Sequence, residues 1–282
     1  MPGSRFGPVC SKCDAPISPA DEPMRSISQS PSSDLTGRVA LVTGAGVGIG
    51  RAIALALGSA GAFVGIHYHT SESGAGETLA ALRDRGGDGL LLQADLAIEQ
   101  EARTTVDRLV AARGRLDVLV NNAGSPIRLT RIEDCPSEHW RHVFDINLHS
   151  AFYVTRQAIP HLRASGHASI INNLTLSVQT GGAGGAGPYA AAKGALQVMT
   201  RTLARELAPQ VRVNAIMPGV IQTRHHEVFS TPERMEEYRK QTPLDRIGTA
   251  EEVANAVLFL ASDAASFITG ALLDINGGRF LR

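Results

Sequence analysis

The chain has no surplus of charge. Its 27 Lys and Arg face 27 Asp and Glu, for a formal net charge of zero. A nucleic-acid binder would carry a basic stripe or a clear excess of charge, so that class is set aside. No apolar run reaches the roughly 18 residues that a membrane helix needs. The N-terminus lacks an apolar secretory core, and the chain therefore reads as cytoplasmic. Cysteine is scarce: three in 282 residues provide no disulfide framework. The nine histidines are scattered, so no metal site is expected. What remains is an ordinary globular composition, 43 % apolar and 19 % charged, with enough apolar residues for a large core.

Residues 1–33 stand apart. They are rich in Pro and Ser with few large apolar side chains, and such a segment cannot bury enough surface to offset its ordering entropy. They read as a disordered tail. The tail holds a CxxC, Cys10 and Cys13, which supplies only two of the four ligands of a structural zinc site. Met24 is a plausible alternative start. Residues 34–282 fit one α/β domain.

From Leu35 on, short β-rich runs alternate with longer helical stretches. Strands are expected at 39–42, 62–67, 89–94, 116–120, 168–172, 211–216 and 272–275. Helices are expected at 51–60, 77–85, 99–113, 188–206 and 251–261, with one long helix at 137–162 interrupted late by Pro160. Strands separated by helices imply a parallel sheet with right-handed crossovers. Apolar runs without alternation fit strands covered on both faces. The expected architecture is a doubly wound, seven-stranded parallel α/β sheet.

A glycine-rich stretch, Thr43, Gly44, Gly46, Gly48, Ile49 and Gly50, follows the first strand and opens the first helix. Glycines there allow a tight turn and close approach of a pyrophosphate to the backbone, and the helix N-terminus offers N–H groups and a favourable dipole. Further dinucleotide contacts belong at the carboxyl ends of strands, namely Asp95 and Leu96, then Asn121, Asn122, Ala123 and Gly124. An acid at the end of the second strand would bind a ribose 2′-hydroxyl and repel a 2′-phosphate. Here the chain runs His67, Tyr68, His69, Thr70, Ser71, with no acid before Glu72. That favours NADP(H), with Arg51 and His69 as its basic partners, and leaves NAD(H) open.

Tyr189 and Lys193 lie one helical turn apart. A nearby cation stabilises a phenolate, so a tyrosine placed this way can exchange a proton with a carbonyl or an alcohol. Taken with the glycine-rich turn, Asp95, Asn121–Gly124, Asn147, Pro218, Gly219 and the Ile268–Gly270 stretch, all in order, the sequence resembles the short-chain dehydrogenase/reductase family from Leu35 to Gly278. The resemblance implies a Rossmann-type fold, an NAD(P)(H)-dependent oxidoreductase and a homotetramer. It implies Tyr189 as general acid/base, Lys193 as the residue that lowers its pKa and holds the nicotinamide ribose, and Asn147 as the holder of a proton-relay water. It also places Pro218, Gly219, Val220, Ile221 and Thr223 beside the nicotinamide carboxamide.

One position departs from the family's pattern. Where a serine is usual after the fifth strand, alignment of the strand gives Thr175, with Ser177 as the other candidate. Either hydroxyl can donate to a substrate carbonyl. Substrate contacts are expected from 125–129, from the Gly181–Gly187 loop and from a mobile lid over 223–246. Arg128, Arg224, His225 and His226 could meet a polar or anionic substrate. The expected substrate is a small ketone, a 3-oxoacyl thioester, or a sugar or polyol. The other readings are a catalytically inactive NAD(P)-binding regulatory protein and an enzyme running another reaction, such as epimerisation, on the same fold.

Overall fold

The inner apolar runs form strands covered by helices on both sides, so neither face needs polar residues, while the edge runs 88–93 and 272–275 stay partly exposed. The computed structural model describes residues 33–182, 184–223 and 229–281. The strands are β1 Val39–Val42, β2 Phe63–Tyr68, β3 Asp88–Gln93, β4 Val118–Asn121, β5 Ala168–Asn173, β6 Val211–Pro218 and β7 Leu272–Ile275. They form one sheet in the order β3-β2-β1-β4-β5-β6-β7, and every pairing is parallel. The order reverses between β1 and β4, which is where a doubly wound sheet opens a crevice at its carboxyl edge.

The helices are α1 Gly48–Ser59, α2 Glu72–Arg83, α3 Glu99–Arg113, α4 Ser137–Phe144, α5 Ser150–Ser165, the short α6 Ser177–Thr180, α7 Gly187–Glu206, α8 Pro232–Lys240 and α9 Ala250–Ala261. One face of the sheet buries Ala40, Val42, Val64, Ile66, Val118 and Val120 against α1, α2 and α9. The other buries Leu41, Leu92, Leu119, Ile170 and Val213 against α3, α5 and α7. Leu119 is fully buried, and truncating such a residue to Ala costs about 2–5 kcal/mol. Among the described residues, no helix is long and apolar enough to cross a membrane. Apart from Ser33, the tail read from the sequence, with its CxxC and Met24, lies outside the described residues.

Three sequence expectations are corrected. The second strand runs on to Tyr68, so His69 is the first residue past it. Helix α2 begins at Glu72 rather than Glu77, through Ser73, Gly74 and Gly76, which are poor helix formers. Packing overrides that propensity: a Cβ on Gly74 would lie 2.6 Å from the carbonyl oxygen of Gly46. The single helix expected over 137–162 is α4 and α5 joined by a π-helical turn, Asp145–His149, while Pro160 sits inside α5 without ending it. Asn147 lies within that turn and its Nδ2 donates to the Val143 carbonyl at 2.8 Å. A side-chain amide competing for a helix carbonyl in this way widens the turn.

Candidate active site

The carboxyl ends of β1, β4, β5 and β6 bring the candidate residues together. Gly44 and Gly48 have φ of +64° and +55°, a region that favours glycine. A Cβ on Gly50 would lie 2.1 Å from the Gly44 carbonyl oxygen, so the turn can close only on glycine. Val47 stands at the N-cap of α1 and offers no side-chain cap. The first amides of this helix thus have no side-chain cap from the N-cap residue, and a helix start of this kind suits an anion.

The turn is tied to β4 by side chains. Thr43 Oγ1 accepts from the amides of Asn122 (2.9 Å) and Ala123 (3.0 Å). Asn122 Nδ2 donates to the carbonyls of Thr43 (2.9 Å) and Gly44 (3.1 Å), and its Oδ1 accepts from Asn173 Nδ2 at 2.9 Å. Asn121 is buried and donates to Thr155 Oγ1 and Asn172 Oδ1. These asparagines shape the turn with their side chains. The Asn122 side chain is thus engaged within the protein, to the turn and to Asn173. Thr223 packs beside Gly48, where a Cβ would lie 3.6 Å from its Cγ2, so the segment after β6 closes onto the start of α1. Pro218 accepts from the Leu176 amide at 2.9 Å, and Gly219 donates to Ile275 at 2.9 Å. Val220 and Ile221 are buried behind them.

At the ribose pocket, Arg51 Nη1 meets Glu77 Oε2 at 3.1 Å, so the expected phosphate partner carries a carboxylate of α2. His69 is exposed, and its carbonyl accepts from Gln93 at 3.3 Å. Asp95 Oδ1 accepts from the Ala97 amide at 3.0 Å and caps the turn into α3, with Leu96 buried beside it.

Tyr189 and Lys193 share the first turns of α7. The Thr175 hydroxyl lies near enough to the Tyr189 phenol to pull its pKa down. Ser177 instead gives its amide to Thr175 Oγ1 at 3.2 Å and opens α6. Lys193 is 2 % exposed. Its Nζ donates to the Asn173 carbonyl at 2.8 Å and lies 5.9 Å from the Tyr189 ring centroid.

The expected lowering of the phenol pKa is not present. Tyr189 is part-exposed as a residue, but its hydroxyl is crowded, and burial pushes it up to about 12 against the pull of the Thr175 hydroxyl. The lysine head is directed to a backbone carbonyl rather than to the phenol oxygen, which is why spacing along a helix overstated their coupling. Burial brings Lys193 itself down to about 8.

Asn147 is tied to the loop after β4. It is fully buried, and its Oδ1 accepts from the Ser125 amide (3.0 Å) while its Nδ2 donates to the Ser125 carbonyl (2.7 Å). It pins the loop after β4 with its whole amide group. Gly124 is wedged between the two site residues: a Cβ there would lie 2.5 Å from Asn147 Oδ1 and 3.0 Å from Lys193 Nζ. Of the candidate substrate contacts, Arg128 is exposed, and Arg224, His225 and His226 lie outside the described residues. Among the described residues there is no cluster suited to a metal ion.

Two further residues of the site, His67 and Asn173, carry no motif in the sequence. Both are buried polar residues in or ending strands, and a polar residue in an otherwise apolar run was the available signal.

A family model described as enoyl-(acyl carrier protein) reductase matches residues 44–279. The chain belongs to the short-chain dehydrogenase/reductase family and is an oxidoreductase. It is 39 % identical over 249 residues to an uncharacterised oxidoreductase of Methylorubrum extorquens, covering 87 % of this chain and 99 % of that one. It is 37 % identical over 243 residues to a cyclopentanol dehydrogenase of Comamonas sp., covering 86 % and 96 %. Among solved structures, a 7α-hydroxysteroid dehydrogenase complexed with NADH and 7-oxoglycochenodeoxycholic acid superposes with a TM-score of 0.83 at 31 % identity, covering 89 % and 97 %. An NADH-dependent reductase responsible for alginate metabolism superposes at 0.82 and 34 %, covering 89 % and 100 %.

Proposed function

We propose that this enzyme interconverts a ketone and a secondary alcohol with NAD(P)(H), and that Tyr189 gives or takes the proton. The observation that carries this reading is the Thr175 hydroxyl beside the Tyr189 phenol, with buried Lys193 one turn further along α7. A nicotinamide dinucleotide supplies or accepts the hydride when bound. The Thr43–Gly50 turn and Arg51 would hold its phosphates, and Asp95, Leu96 and Asn122–Gly124 would border its adenosine half. Pro218–Ile221 and Thr223 would border its nicotinamide. Among the described residues one acceptor, the Asn173 carbonyl, engages the Lys193 ammonium, which leaves two N–H donors for ribose hydroxyls.

The chain's own part in the chemistry is positioning and proton transfer. Thr175 donates to the substrate oxygen and fixes its direction. Tyr189 is neutral in this form and is therefore a proton donor towards that oxygen. Asn147 holds the Ser125 loop that walls the cleft. The intact set of hydroxyl, phenol and ammonium favours catalysis over a regulatory role.

NADP(H) is the proposed cofactor, because no acid follows β2 before Glu72. NAD(H) is the second reading, favoured by the Arg51–Glu77 pair that occupies the nearest guanidinium. The relatives named for cyclopentanol and hydroxysteroids point to cyclic secondary alcohols among the candidate substrates, beside 3-oxoacyl thioesters and sugars or polyols. A homotetramer is part of the same proposal, supported by Trp140, Phe152 and Val198, which remain exposed on α4, α5 and α7.

The test is a panel of cyclic ketones, 3-oxoacyl thioesters and ketoses run in parallel with NADH and NADPH. Cofactor oxidation on at least one ketone is expected, with kcat/KM higher for NADPH. Binding of cofactor with no turnover on any carbonyl would support the regulatory reading instead.

A further inference from the structure

His67 is the fifth residue of β2 and is 2 % exposed. An imidazole buried in a sheet needs partners for both nitrogens. Here Nδ1 accepts from the Gly44 amide at 3.0 Å, and Nε2 lies 3.1 Å from the Ala94 carbonyl oxygen. An N–H on one side and a C=O on the other fix the neutral ring with its proton on Nε2. The backbone carbonyl of His67 accepts from the Ala45 amide at 2.8 Å. One residue therefore captures two successive amides at the start of the glycine-rich turn.

We propose that His67 is a positioning residue for the dinucleotide: its ring clamps the Gly44 amide and so sets the direction in which the later amides of the turn face. This rests on the reading that the turn holds the dinucleotide. Gly44 has a positive φ and bonds nothing in the ladder of β1, so a side chain is needed to hold its amide. Other side chains tether the turn through oxygens: Asn122 takes the carbonyls of Thr43 and Gly44, and Thr78 Oγ1 donates to the Ala45 carbonyl at 3.2 Å. Among the described residues, His67 is the side chain that holds a turn N–H. Without it, Gly44 N–H would turn towards the cleft or towards water and carry the following amides with it.

The two halves of the clamp can be separated by substitution. In His67→Asn, Oδ1 occupies the place of Nδ1 and keeps an acceptor for Gly44. In His67→Gln, Nε2 occupies the place of the ring Nε2, which keeps the donor for Ala94 and loses the acceptor for Gly44. Wild type and both variants are titrated with NADH and NADPH, and their steady-state constants are measured on a ketone turned over by the wild type. His67→Gln is expected to raise cofactor KM and Kd about tenfold, the effect of one unsatisfied buried amide, with a smaller fall in kcat. His67→Asn is expected to keep both constants within about threefold of wild type, although each variant loses one buried hydrogen bond.

An equal rise in both variants, or no rise in His67→Gln, overturns the proposal. Should His67→Gln fail to fold, His67→Asn decides alone: constants near wild type support the clamp, and a tenfold rise overturns it. Wild-type protein that binds neither cofactor overturns the dinucleotide reading itself, an outcome distinct from all of these.

Discussion

Two buried charges sit at opposite ends of one sheet and are treated differently. Asp117 stands just before β4 and is fully buried. Its carboxylate accepts from the Val39 amide (2.8 Å), from Arg115 Nε (2.8 Å) and Nη2 (2.6 Å), and from Ser165 Oγ (2.6 Å). Burial alone would raise its pKa, but these donors outweigh burial and hold it below the usual value. Lys193, at the carboxyl end, has one carbonyl and no carboxylate among the described residues, and burial alone moves it, down to about 8. The charge that ties β1, β4 and α5 together has its partners in the protein. The charge beside Tyr189 lacks them, as expected of a group that awaits a ligand.

Removing each charge should separate catalysis from stability. Lys193→Met keeps the length and removes a poorly compensated cation. It is expected to lower kcat/KM at least about a hundredfold, the scale of general acid/base assistance, with a melting temperature equal to or above wild type. Retained turnover with a much lower melting temperature would break the contrast.

The pH dependence of stability sharpens it further. For His67, burial brings the ring down to about 4 from 6.5. Between those values the unfolded chain holds a proton that the folded chain refuses, so stability falls by about 3 kcal/mol as pH drops through that window. For Lys193, with about 8 folded against 10.5 unfolded, the unfolded chain again holds the extra proton. Stability therefore rises by about 3 kcal/mol from pH 8 to 10.5. Denaturant melts across pH should show the acid slope flattened in His67→Asn and the alkaline slope flattened in Lys193→Met.

Asp117→Leu leaves the Val39 amide and Ser165 without their acceptor. A stability loss of about 2–3 kcal/mol is expected, with kcat/KM at 25 °C near wild type. The smallest effect belongs to the hydroxyls. Thr175→Val should lower kcat about tenfold, from the loss of one hydrogen bond to a charge-bearing oxygen, with Thr175→Ser close to wild type. Ser177→Ala should change kcat less than twofold, and a larger loss there than in Thr175→Val would exchange the two assignments.

The sheet was legible because β1, β4 and β5 are apolar runs whose meaning does not depend on distant residues. The Tyr189–Lys193 spacing was legible for the same reason, since four residues on a helix share a face whatever surrounds them. Long-range polar contacts were not. The Asn147 side chain that widens the π-helical turn at Val143 is also held by Ser125, 22 residues earlier. The start of α2 depends on Gly74 packing against Gly46 across a turn. His67 gains its meaning from Gly44 and Ala94, 23 and 27 residues away. Lys193 could be singled out by its spacing, but its partner, the Asn173 carbonyl, is a backbone atom that no side-chain pattern announces.

The most direct test of the central claim is turnover by Tyr189→Phe, measured with a cofactor titration on the same protein. The account predicts a fall in kcat of at least about a hundredfold, with the cofactor Kd within about twofold of wild type. Turnover near wild type would contradict it, because the proton would then be moving through another group.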